Sequence, residues 1–132
     1  DTINTIKSII PSYVSIGGTI DLGPSMFQTF MPSVEAISID ENVDCILFIF
    51  AIPSLPLENM GFSMAPYFRR LKKISEKLNK PSVICVFGSR WVFEFLSKGA
   101  YKYNLPVMIR IKHAIKAFQM MTDFREYKEK KE

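Results

Sequence analysis

Two apolar runs decide what this chain can fold into. Val43 to Ala51 is apolar at nearly every position after Asp44, and Ser82 to Phe87 is a second such run, set between Pro81 and Gly88. A strand that is apolar on both faces needs cover on both, which places it inside a parallel sheet flanked by helices. Between the runs, Phe68, Leu71, Ile74 and Leu78 recur at helical spacing in a helix expected from about Ala65 to Asn79, with Pro66 near its first turn. Strand, helix and strand in this order make a right-handed crossover. The expected fold class is α/β, a doubly wound parallel sheet with helices on both faces.

The remaining elements fill in that alternation. Thr5 to Ile10 reads as a helix end stopped by Pro11, and Tyr13 to Ile16 as a short strand before the Gly17-Gly18 break. Ser25 and Gln28 have the spacing of a capping box, ahead of Phe27, Phe30, Met31, Val34 and Ile37. Pro32 falls inside that helix and predicts a kink, or a start near Phe30. Ile52 to Pro56 reads as a stiff loop. Trp91 to Lys98 reads as a helix capped by Ser89 and closed by Gly99. Pro106 to Ile109 is expected as an edge strand. A last helix from about Lys112 to Lys130 turns Ile111, Ala114, Ile115, Phe118 and Met121 to one face.

Composition limits the function classes. A 132-residue chain has room for one core and folds without a disulfide or metal. At 48% hydrophobic residues it is not a disordered chain, and two cysteines do not make a disulfide scaffold. The longest apolar run, Cys45 to Ile52, is eight residues against the roughly 20 of a membrane helix. No basic, apolar leader opens the chain, so a cytoplasmic location is expected. The net charge of +4 hides an asymmetry: residues 1–65 sum to −6 and residues 66–132 to +10. The bases from Arg69 to Lys80 and from Lys112 to Lys131 occupy outer helix positions. Without interleaved aromatics they read as solvated faces rather than a nucleic-acid platform.

Ligands of such sheets bind beyond the C-terminal ends of the strands. Three segments lie there: Ile20 to Ser25, Phe50 to Ser54, and Phe87 to Arg90. Two lead into helix N-termini, whose backbone N–H groups favour an anion, so Ser25, Ser89 and Arg90 could frame a phosphate. His113, the one histidine, has no acid or cysteine at ligand spacing and reads as a solvated helix residue. Cys45 and Cys85 lie within apolar strands and read as reduced core thiols. No glycine-rich dinucleotide fingerprint, P-loop or nucleophile elbow is present. No catalytic residue is expected in this chain.

The order of several short motifs resembles the NDP-forming acyl-CoA synthetase superfamily, which includes succinyl-CoA synthetase and the ADP-forming acetyl-CoA synthetases. The resemblance runs from about Thr5 to Tyr127. It covers Ile9 to Ser15, the turn Ile20-Asp21-Leu22-Gly23-Pro24-Ser25, and Asp40-Glu41-Asn42-Val43-Asp44 leading into the central strand. Lys80-Pro81-Ser82-Val83-Ile84, Asn104-Leu105-Pro106-Val107 and Phe124-Arg125-Glu126-Tyr127 follow in the family's order. Gly18 and Thr19 stand where the family usually has Asn and Pro, a departure that loosens the first turn.

The resemblance implies a flavodoxin-like CoA-ligase domain, N-terminally truncated because the family's first glycine-rich strand-to-helix turn would lie before Asp1. It implies that Asp21 orients a loop facing a phosphohistidine, so that Asp21, Gly23 and Ser25 of this turn join Gly88, Ser89 and Arg90 of the later junction as the candidate phosphate-facing residues. The plainer reading of Asp21 is a carboxylate that satisfies the N–H groups of its own turn. The parent enzyme would convert acyl-CoA, ADP and phosphate into acid, CoA and ATP, through a phosphohistidine carried elsewhere. CoA, ATP or ADP and magnesium would belong to that parent, and no cofactor to this chain. The expected partners are CoA-binding, phosphohistidine-bearing and ATP-grasp sister domains, or a second copy, with neither nucleic acid nor membrane. The alternatives are the synthetase-like regulatory half of a protein lysine acetyltransferase, and a module that only packs against other domains.

Overall fold

A computed structural model of the chain describes residues 2–52, 63–78 and 80–131. The chain forms two compact units, Asp1–Asp44 and Cys45–Glu132.

The first unit is a helical pair. Helix α1 (Thr2–Ile9) packs on α2 (Met26–Ser38). Ile6, Ile10 and Ala36 are its buried centre, with Ile9, Val14, Ile16, Ile20, Leu22 and Ile37 packed around them. The strand expected at Tyr13 to Ile16 does not form. Val14 N–H turns back to Pro11 O at 3.0 Å, and only Ile16 makes a bridge, to Ile20 across the glycine pair. Five residues from Ile16 to Ile20 leave no length for a ladder. Helix α2 starts at Met26 and runs through Pro32, whereas the proline predicts a kink or a start near Phe30. The missing N–H costs α2 one bond, while the burial of Phe30, Met31, Ser33 and Val34 around the proline favours one continuous helix.

The second unit is α/β. Strands β1 (Ile46–Ala51), β2 (Ser82–Phe87) and β3 (Val107–Met108) form a parallel sheet in the order β1-β2-β3. Helices α3 (Ala65–Leu78) and α4 (Arg90–Tyr101) make the two crossovers and pack side by side. Helix α5 (Ile111–Glu129) follows β3 and packs on β2 and β3. Ile46 pairs with Ser82 and Ala51 with Phe87, so the two longer strands align end to end. Val83, Ile84, Cys85 and Val86 are all buried, which makes β2 the strand covered on both faces. Both crossovers wind in the same direction along the sheet.

Strand β1 departs from its expected place. It starts at Ile46 rather than Val43, because Val43 N–H is committed to Asp40 O at 3.1 Å in the preceding turn. It also lies at one side of the three described strands, with alternating burial: Ile46, Phe48 and Phe50 are buried while Ile49 is 45% exposed. An apolar run has no periodicity of its own, so only the neighbouring elements decide which of its faces is covered.

Helix α4 is longer than expected at both ends and runs through Gly99. The glycine serves packing: a Cβ there would stand 3.1 Å from the Phe68 ring on α3. The stop comes later, at Asn104, whose φ of 56° is left-handed and turns the chain toward Leu105 and β3. Helix α5 has the expected range within a residue, yet of its apolar face only Ala114 is buried; Ile115 and Met121 are exposed.

Candidate functional site

The first candidate loop lies in the first unit. Asp21 Oδ1 accepts a hydrogen bond from Gly23 N–H at 3.0 Å, an Asx-type turn in which the carboxylate satisfies its own backbone. Gly23 has a φ of 47° and opens a single 3-10 turn, Gly23–Ser25, that leads directly into α2. Ser25 is buried. Its Oγ donates to Leu22 O at 2.6 Å and lies 3.2 Å from Thr29 Oγ1, which in turn bonds to Ser25 O. Ser25 has a helical backbone and no capping bond to the next turn, so the expected capping box with Gln28 does not form. The preceding 3-10 turn already places Ser25 inside the helical path, where its hydroxyl reaches backward to a carbonyl rather than forward to an N–H. The structure thus brings Asp21, Gly23 and Ser25 into one turn whose polar groups bond largely to each other.

The second loop is the junction between β2 and α4, in the second unit. Ile52 N–H donates to Phe87 O at 3.0 Å and carries the β1–β2 pairing one step past the named strands. Gly88 follows in a tight space: an added Cβ would stand 3.0 Å from Ile52 O and 3.3 Å from the Val92 side chain. Ser89 caps α4 as expected, with extended backbone and Oγ accepting from Val92 N–H at 3.4 Å. The cap leaves the N–H groups of Arg90 and Trp91 at the positive end of the helix dipole, beside the C-terminal end of the central strand. The Arg90 side chain turns back along its helix and bonds Glu94 through Nε at 2.7 Å, fully in solvent. That bond and the glutamate charge raise the guanidinium's pKa further. Gly88, Ser89 and Arg90 therefore do share one junction, at the N-terminus of α4, and the Arg90 side chain is held by Glu94. Replacing Ser89 by alanine is expected to cost about 1 kcal/mol, read as a lower melting temperature, with α4 frayed at its start.

Of the third segment, Phe50, Ala51 and Ile52 are described, and Pro53 and Ser54 lie outside the described residues. His113 is exposed at the start of α5. Among the described residues no group of three His, Cys, Asp or Glu side chains could hold a metal ion. No helix among them is long and apolar enough to cross a membrane.

Cys85 is fully buried in β2, and burial pushes its thiol pKa up, against a smaller lowering by a hydrogen bond to the Val86 backbone. It is a packing thiol, unsuited to nucleophilic work. A raised folded pKa means that the unfolded chain loses its proton first. The contribution is complete below the ordinary thiol value and lost as pH rises through the folded one. Urea midpoints should therefore fall as pH rises past the ordinary thiol value, and Cys85→Val should flatten that fall.

Two surface features lie outside the candidate loops. Trp91 and Phe95 stack at 5.6 Å on the solvent side of α4, and both are exposed. On α5, Lys128 Nζ lies 5.4 Å over the Phe124 ring and Lys131 Nζ 4.6 Å over the Tyr127 ring. Aromatics are thus interleaved with the basic residues of the last helix, contrary to the expectation of a purely solvated basic face. Spacing of four residues between aromatic and lysine was the signal available in the sequence. In comparisons with known protein families, with characterised proteins and with solved structures, the chain matches none.

Proposed function

We propose that this chain is a flavodoxin-like CoA-ligase domain of an ADP-forming acyl-CoA synthetase, inactive by itself and working within a larger cytoplasmic enzyme. The observation that carries the reading is the placement of three resembling segments on adjacent parallel strands. Asp40 to Asp44 leads into β1, Lys80-Pro81 into β2 and Asn104-Leu105-Pro106 into β3, in sheet order. A chance scatter of short motifs would have no reason to fall at the starts of three neighbouring strands. In this reading the three strands are one half of a doubly wound sheet.

The chemistry assigned to the chain is reception of a phosphoryl group rather than its transfer. An anion at the C-terminal end of β2 would meet the Arg90 and Trp91 N–H groups, held in direction by the Ser89 cap and the close Gly88 backbone. CoA, ADP or ATP and magnesium are assigned to sister domains, since neither a phosphate-binding lysine loop nor a metal cluster is found in the described residues. The test is an assay of the full polypeptide with acetyl-CoA, ADP and phosphate. ATP formation is expected from the whole enzyme and none from this chain alone. No ATP from the whole enzyme would end the catalytic assignment, and turnover by this chain alone would overturn the division of labour.

A further inference from the structure

The second half of α5 is left uncovered by the described elements of its own unit. Every residue from Gln119 to Lys131 is exposed, among them Met120 at 61%, Phe124 at 60% and Tyr127 at 54%. A free helix of about a dozen residues is marginal in water, so a stable one calls for a packed face. His113, Ala117, Met120, Phe124, Tyr127 and Lys131 follow one another at alternating steps of four and three. That is the spacing of a two-helix coiled-coil seam, and it runs along α5 about a quarter turn round the helix from buried Ala114.

Charge selects the occupant. Gln119 to Lys131 carries four bases and three acids, interleaved. An anionic bilayer or a nucleic acid would favour bases without acids on that face. A second copy of the same helix offers both signs. In an antiparallel pair, a register that sets Phe124 level with Tyr127 of the second copy also brings Asp123 to Lys130 of that copy. The two-fold axis repeats both contacts. The next register along, with Met120 level with Phe124, would set Asp123 against Asp123 and Lys116 against Lys130. Of these two only the first joins opposite charges. The register with Met120 level with Ala117 joins Asp123 to Lys116 but runs onto the half of α5 that packs on the sheet, whereas the first overlaps the free halves alone, with Met120 level with Lys131.

We propose that the exposed seam of α5 binds the same seam of a second copy in this antiparallel register. Sedimentation equilibrium of the chain should give a concentration-dependent dimer. Phe124→Glu should weaken it at least about tenfold while leaving the helical circular dichroism of the folded chain in place. Asp123→Lys should also weaken it, Lys130→Asp added to that variant should restore it, and Lys128→Asp should not. Four results would overturn the proposal. They are a monomer at every concentration up to saturation, a dimer untouched by Phe124→Glu, rescue by Lys128→Asp (which would mean parallel helices), and a monomer that binds phosphatidylserine vesicles through Phe124.

Discussion

Replacing Phe68 by alanine is expected to destabilise the fold by about 3–5 kcal/mol, the range for removing a buried aromatic side chain. Phe68 is 2% exposed, and its ring is the common element between the two crossover helices. Gly99 on α4 lies so close that even a Cβ would be 3.1 Å from the ring, and Tyr103 stands beside it at 6.4 Å between centroids. The hole left by alanine cannot be filled from α4, because the facing residue has no side chain to move. The urea midpoint should fall with an unchanged slope, and a change of slope would mean that the folded or unfolded state itself had changed. Gly99→Ala offers a paired check. A central helix glycine replaced by alanine gains up to about 1 kcal/mol of helix propensity, but here the new methyl meets the ring. The gain should appear only when Phe68→Leu clears the space. A double-mutant cycle should then show coupling between the two positions, and strict additivity would argue against the contact.

Gly88→Val should cost about 1–3 kcal/mol by overpacking. The first obstacle at Gly88 is a backbone oxygen, Ile52 O at 3.0 Å from the ideal Cβ, and backbone in a paired segment cannot swing aside as a side-chain end can. The second is Val92, the residue whose N–H is capped by Ser89. Relief therefore has to come from the Ile52–Phe87 hydrogen bond, from the cap, or from both. The melting temperature should drop for valine and less for alanine. In the full polypeptide the valine variant should also lose ATP formation beyond what its lowered stability explains, because the strained junction is the one assigned to the phosphoryl group. A variant that melts lower but keeps full turnover would remove the junction from the proposed chemistry.

The two positions differ in how far the sequence announces them. Gly88 was readable as a break after an apolar run, and Ser89 as a cap, since both depend on signals a few residues apart. Gly99 looked the same and was not: the chain passes through it as helix, and the stop is made by Asn104 in a left-handed conformation. A glycine that ends a helix and a glycine that admits a neighbouring ring are identical in one dimension. Asp21 is a similar case. A carboxylate in a turn can face a ligand or its own backbone, and here it accepts from Gly23 N–H.

What the sequence determined by itself is what short-range physics controls. The ranges of β2, α3 and α5 follow within a residue or so from proline, glycine and hydrophobic spacing, and the α/β class follows from their alternation. What only the tertiary structure decided is which faces are covered. Ile49 is as apolar as Phe48, yet one is exposed and the other buried, because one face of β1 is covered and both faces of β2 are. The free half of α5 is the same lesson in a helix. Met121 belongs by its spacing to the apolar face of that helix, yet it is exposed. Burial is a property of what lies opposite, and a linear pattern specifies only that something should.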